Sequence, residues 1–139
     1  MKILFVASMA IISADPVKSR RLFIDTLNLP LKQHEGDDDY YFSEKIDGAK
    51  HFGVWPLSQA AEACFGVKER PNDRPIPQTS IEFEVEDADS VSSSAKELIA
   101  AGYKILHEVR TEPWGQVIAR IQTLEGAIVG ISYAPWLHK

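Results

Sequence analysis

The sequence predicts an α+β domain built from two βαβββ modules in tandem, and three observations carry that prediction. In Thr79-Ser80-Ile81-Glu82-Phe83-Glu84-Val85-Glu86, apolar Ile81, Phe83 and Val85 alternate with Glu82, Glu84 and Glu86, the period-two pattern of a half-buried strand. Immediately afterwards Asp87 or Asp89 is placed to cap a helix in which Val91, Ala95, Leu98 and Ile99 recur at helical spacing, until Gly102 stops it. The same unit stands near the N-terminus: Ser8 to Ser13 reads as a strand running to Asp15, with Pro16 at the first helical position. Ser8 and Ser80 are equivalent, as are Asp15 and Asp87, so the chain carries an internal repeat of about 72 residues.

The remaining elements follow in matching order. The first helix runs through Lys18, Leu22, Phe23 and Leu27, and Asn28 and Pro30 end it. Leu31 to Glu35 is a short strand, Gly36-Asp37-Asp38-Asp39 a solvated acidic turn, and Tyr40 to Ser43 the next strand. Asp47-Gly48 signals a hairpin into Lys50 to Trp55, which Pro56 ends. Ser58 to Phe65 forms a short helix with Ala60, Ala61 and Cys64 on one side. The charged, proline-rich run Glu69 to Pro77 is the joint between the repeats. Past the second helix come strands at Lys104 to Val109, Gln116 to Gln122 and Ala127 to Tyr133, turned at Glu112-Pro113-Trp114-Gly115 and Leu124-Glu125-Gly126. The modules are thus residues 1–68 and 78–139, joined by a linker at 69–77 into one compact domain.

Composition excludes several classes. A net charge of −5 with no Lys/Arg cluster leaves no nucleic-acid footprint. Cys64 is the only cysteine, which rules out an intramolecular disulfide and a cysteine-rich zinc site. The apolar start Ile3 to Ile12 imitates a secretory leader, but its basic region is a single lysine and the repeat needs the segment as a strand. A cytoplasmic protein with no membrane partner is expected.

Three motifs in this order, Phe83-Glu84-Val85-Glu86-Asp87, Glu112-Pro113-Trp114-Gly115 and Leu124-Glu125-Gly126-Ala127-Ile128, make the chain resemble the vicinal oxygen chelate superfamily. Its members include glyoxalase I, extradiol dioxygenases and the fosfomycin- and bleomycin-resistance proteins. The resemblance implies a cup-shaped, curled mixed sheet with helices on the outside, and a homodimer. Metal-dependent members place a His at the head of each module's first strand and a carboxylate in the last strand. Ser8 and Ser80 occupy the two His positions here, and Gly130 falls where the second module's Glu is expected. A hydroxyl or a glycine does not replace those ligands, so the resemblance implies a metal-free, bleomycin-resistance-like member without a cofactor. His34, His51, His107 and His138 are scattered, with no paired spacing that rebuilds a metal site.

Period two then assigns a cup face. Ser80, Glu82 and Glu84 lie opposite the helix-covered side, Gly130 faces inward with Ile128 and Ser132, and the polar set Gln116, Ile118, Arg120 and Gln122 is the better choice for the neighbouring strand. Arg120 is a candidate ion partner for Glu82 or Glu84; otherwise one carboxylate receives a cationic or hydrogen-bond-donating ligand. Trp55, Trp114, Trp136, Tyr40, Tyr41 and Phe65 fall where rims are built and suit planar ligands and cations. Whether His51, Gly53 and Trp55 or Phe52 and Val54 face inward depends on a one-residue register that stays open. The expected ligand-binding set is therefore Ser8, His51, Trp55, Ser80, Glu82, Glu84, Trp114, Arg120 and Gly130, with no catalytic or metal residues. The expected activity is binding of a small, aromatic or cationic molecule; the alternative is a metal-dependent lyase, isomerase or dioxygenase with a non-standard ligand set, and a third is an accessory subunit with no ligand.

Overall fold

The computed structural model describes residues 1–138, the Asp38 side chain excepted. Its elements are β1 (Phe5–Ser13), α1 (Pro16–Arg20), β2 (Lys32–His34), β3 (Asp37–Ser43), β4 (Phe52–Pro56), α2 (Leu57–Phe65), β5 (Thr79–Glu84), α3 (Ala88–Ala100), β6 (Arg110–Thr111), β7 (Val117–Gln122) and β8 (Ile128–Tyr133). The strands form one eight-stranded mixed sheet in the order β2-β3-β4-β1-β5-β8-β7-β6. The apolar N-terminal run is thus a central strand.

The two halves meet at β1 and β5, which pair antiparallel with Ser8 opposite Glu82, Met9 opposite Ile81 and Ala10 opposite Ser80. Shifting Ser8–Glu82 by one repeat lands on Ser80–Ala10, so the repeat read from the sequence is a two-fold relation across this seam. Each half also contains one parallel pair, β1 with β4 and β5 with β8. There Ala10 faces Gly53 and Glu82 faces Gly130, which makes the two glycines equivalent.

On one face of the sheet α3 buries Val91 and Ala95 against Val85, Ala119 and Ile131, with the valines and the isoleucine each contributing about 1.5–3 kcal/mol when fully covered. On the same face Phe23, just beyond α1, meets Phe52 edge-on at 5.7 Å between ring centres. Asp87, not Asp89, is the α3 cap: its carboxylate accepts from Ser90 N–H at 2.8 Å. Asp15 caps α1 in the same way from Lys18 N–H at 3.1 Å. The first helix does not keep α geometry to its end. It widens into a π segment at Arg21–Thr26, closed by Leu27 N–H to Leu22 C=O, and Asn28 ends it at φ 55°.

Four expectations need correction. The sheet is continuous and not strongly curled, so strand curvature alone does not make the hollow. Nor are all helices outside: α2 packs on the opposite face from α3, its Ala60 and Cys64 against Ile12 and Ile128, with Trp55, Leu57, Phe65 and Leu106 around them. Finally, Lys104–Val109 is not a strand. Only Leu106 N–H bonds to the sheet there, at Arg120 C=O, because Leu106 packs into the α2 cluster and carries the segment off the β7 edge. The ladder begins at β6 instead. The acidic turn is shorter than expected as well, since Asp37 already opens β3.

The caps generate a test. Asp15→Ala should lower denaturant stability by about 1 kcal/mol. Asp87 has its pKa held below the ordinary carboxylate value by hydrogen bonds from the Ser90 side chain and backbone. Its contribution is present above the unfolded pKa and is lost as pH falls through the folded one. The melting-point gap between wild type and Asp87→Ala should therefore close on acidification, and a gap that ignores pH would remove the cap from the account.

Candidate functional site

The face opposite α3 carries a cavity of about 430 Å³, lined by residues of both halves. Ser8 and Ala10 of β1 and Ser80 and Glu82 of β5 form its floor along the seam. His34, Asp37, Tyr40 and Phe42 come from β2 and β3, and Trp55 and Gln59 from β4 and α2. Trp114 and Gln116 enter from the turn before β7, and Trp136 and Leu137 from the short 3-10 turn after β8. The open register at β4 is settled: His51 and Trp55 line the cavity, with Gly53 between them.

Glu82 stands over the middle of the sheet, and the glycine beside it makes the room. A Cβ on Gly130 would lie 3.1 Å from Glu82 Cγ and 3.0 Å from Ile118 Cδ1. Gln116 Nε2 donates to Glu82 Oε1 at 2.9 Å and to Ser132 Oγ at 2.8 Å, while the Trp114 indole N–H holds the Gln116 oxygen at 2.9 Å. Among the described residues no cation pairs with Glu82. Arg120, its expected partner, is buried at 2% exposure and points elsewhere. It reaches Glu112 at 3.6 Å, His107 Nε2 at 3.1 Å and Ala63 C=O at 3.5 Å. His107 donates its Nδ1 proton to Glu108 C=O, which leaves Nε2 free to accept from Arg120. Burial, chiefly, and the Arg120 charge lower the His107 pKa.

A second polar group lies across the seam. Tyr40 Oη is 2.5 Å from His51 Nε2, and His51 Nδ1 faces Glu44 Oε1 at 3.8 Å. A carboxylate only accepts, so the imidazole proton belongs on Nδ1 and Tyr40 O–H donates to Nε2. Burial, then the charge of Glu82, raises the Tyr40 pKa far above its ordinary value and keeps the hydroxyl protonated. Burial lowers the His51 pKa, opposed by Glu82 and Glu44. Phe42 stacks on His51, with ring centres 5.0 Å apart and planes 8° apart. Asp37, by contrast, is fully engaged: Gln59 Nε2 and the N–H groups of Asp39 and Tyr40 all donate to it.

Seven of the nine expected binding residues line this cavity: Ser8, His51, Trp55, Ser80, Glu82, Trp114 and Arg120. Gly130 lies beneath Glu82 as described. Glu84 does not reach the cavity. Fully buried, it accepts from Ala134 N–H at 2.5 Å and His138 Nε2 at 2.8 Å, and its Oε1 has no hydrogen-bond partner among the described residues. Of the aromatics, Tyr41 turns to the other face under Arg20, and Phe65 packs in the α2 cluster below Arg74. His34, Asp37 and Gln59 were not anticipated. Spacing along one strand gives no sign of them, because β2, β3 and α2 bring them in from the side.

The donor chemistry does not fit the superfamily's metal. At the positions that the resemblance assigns to the metal ligands stand Ser8, Ser80 and Gly130, and among the described residues no group of three or more His, Cys, Asp or Glu is arranged to hold an ion. Cys64 is buried within α2, with its thiol pKa raised by burial to about 11. Burial thus disfavours its thiolate at neutral pH.

No family model matches the chain, and no curated protein matches it in sequence. Solved structures do. A glyoxalase/bleomycin resistance protein/dioxygenase superfamily member from Vibrio splendidus superposes with a TM-score of 0.57 at 16% identity, covering 93% of this chain and 97% of that one. Methylmalonyl-CoA epimerase from Mycobacterium tuberculosis gives 0.60 at 19% identity, covering 98% and 92%. A Streptomyces coelicolor methylmalonyl-CoA epimerase variant, in complex with 2-nitronate-propionyl-CoA, gives 0.59 at 12%, covering 96% of each chain. The chain therefore has the fold of the glyoxalase/bleomycin resistance/dioxygenase, or vicinal oxygen chelate, superfamily. No helix among the described residues is long and apolar enough to cross a membrane.

The His51 environment gives the site's own prediction. Its titration, followed by NMR, should fall below the ordinary imidazole pKa of about 6.5. Glu82→Gln removes a charge that holds it up and should lower it further. Because the folded pKa lies below the unfolded one, His51 costs stability as pH falls through the imidazole range, and the loss is complete below the folded pKa. A rise in the His51 pKa in Glu82→Gln would contradict this geometry.

Proposed function

We propose that the protein binds a small, planar, cationic molecule in this cavity without a metal, with Glu82 as the charged contact. The observation that carries the reading is the imbalance of free charge. Arg120 is spent on Glu112, His107 and the Ala63 carbonyl, and Asp37 on neutral donors, whereas Glu82 keeps one oxygen with no partner among the described residues. Burying such a carboxylate in an aromatic enclosure costs free energy that a bound cation offsets. Trp55, Trp114 and Trp136 supply faces for cation–π and stacking contacts, and about 430 Å³ lies within the range of small-molecule sites. By resemblance, the precedent is bleomycin-type sequestration by a cytoplasmic homodimer. The epimerases share the fold, but here the metal positions carry Ser8, Ser80 and Gly130, which counts against the metal-dependent lyase, isomerase or dioxygenase alternative.

A cationic aromatic probe should quench tryptophan fluorescence saturably, and half-exposed Trp114 is the reporter at the mouth. Glu82→Gln should weaken binding by about 1–3 kcal/mol, the scale of a charge-assisted contact, with the loss shrinking at high salt. Glu84→Gln should affect folding stability instead, since its carboxylate serves Ala134 and His138. Equal affinity for wild type and Glu82→Gln would sink the proposal.

A further inference from the structure

We propose that Tyr40, oriented by His51, makes the cavity select cations that carry N–H donors (amidinium, guanidinium or amino-heterocyclic groups) over cations that have none. This rests on the cation-binding reading above and adds to it a second, uncharged contact. The argument is one of proton inventory. Tyr40 Oη lies 2.5 Å from His51 Nε2, and the Glu44 carboxylate, 3.8 Å from Nδ1, favours the imidazole proton on Nδ1, the tautomer in which Tyr40 donates to Nε2. Towards the cavity the Tyr40 oxygen therefore offers lone pairs only. Glu82 Oε2 likewise only accepts, and the two stand on opposite sides of the β1–β5 seam, near enough for the charge of Glu82 to act on Tyr40. Between them the polar floor has acceptors and rotatable hydroxyls (Ser8, Ser80) and, among the described residues, no free cationic donor, because Arg120 is engaged elsewhere.

The position of the Tyr40 oxygen is built in. It lies over Gly53, where a Cβ would come within 2.7 Å of Oη and 2.8 Å of Cε1. Any side chain at position 53 would push the ring away from His51. The stacked Phe42 and His51 rings close the other side. A quaternary ammonium satisfies Glu82 by charge and leaves the Tyr40 lone pairs unmet. An amidinium satisfies both.

Two aromatic monocations of similar size separate these terms: benzamidine, with N–H donors, and phenyltrimethylammonium, with none. In the wild-type protein, calorimetry should show benzamidine binding more tightly. Tyr40→Phe should weaken benzamidine by about three- to ten-fold, the scale of one hydrogen bond, and leave phenyltrimethylammonium unchanged. Gly53→Ala, which keeps the hydroxyl but displaces it, should repeat that pattern and also shift the His51 Nε2 resonance. Equal wild-type affinity for the two probes, or a Tyr40→Phe effect shared by both, overturns the inference while leaving cation binding intact. Failure of both cations to bind saturably overturns the proposed function and this inference together.

Discussion

The antiparallel contact of β1 with β5 is the constraint on which the rest of the structure depends. It joins the two halves of the sheet and sets which side chains share the cavity floor, since Ser8 opposes Glu82 and Ala10 opposes Ser80. Side chains alternate along a strand, so a slip of one residue would turn Glu82 to the α3 face and bring Ile81 and Phe83 into the hollow. Register is held from both sides. Phe83 and Val85 belong to the α3 core, and Thr79 Oγ1 donates across the seam to Ala10 C=O at 2.9 Å. Packing on one face thus fixes chemistry on the other.

The backbone is nearly symmetric about that seam, yet the site is not. Phe42 opposes Gly53 in the first half as Arg120 opposes Gly130 in the second, which makes Tyr40 the counterpart of Ile118. In each half the side chain two residues along leans over the glycine. The first half places a hydroxyl there and keeps it open to the cavity. The second places an isoleucine, and α2 covers the neighbouring surface through Ile128, with Arg110 and Arg120 both directed at Ala63 C=O near its end. A helix seated on Ile12 and Ile128 covers part of this face and leaves the rest of it to the cavity.

Much of this was legible in the sequence, and what was not has identifiable causes. Alternation in Thr79 to Glu86 and the equivalence of Asp15 with Asp87 gave the strands, the caps and the repeat, because these depend on neighbours along the chain. The same alternation put Ser80, Glu82, Arg120 and Gln116 on one face. It also nominated Glu84, whose register is as expected but whose carboxylate is taken by the C-terminal turn, through Ala134 and His138, 50 and 54 residues away. Arg120 was matched to the wrong acid for a similar reason, since Glu112 reaches it only once β6 and β7 have paired. The side of the sheet on which α2 settles was invisible, because an apolar stripe of Ala60, Ala61 and Cys64 fits either face. The role of Tyr40 depends on the absence of a side chain at Gly53, and a glycine in a strand does not announce which neighbour will use its space.

The placement of α2 also bears on exchange of halves between two copies of the chain. Two modules meeting along a single seam could in principle trade partners, each β1 pairing with the β5 of another molecule. The segment between β4 and β5 would then have to straighten, but its first nine residues are the helix whose Ala60 and Cys64 are packed on Ile12 and Ile128. Ile12 belongs to the first half and Ile128 to the second, so α2 is a wedge seated on both. Separating the halves at the seam would part this helix from Ile12 or from Ile128. A connector that resembles a loose tether in the sequence therefore opens with a helix that touches both halves of the sheet.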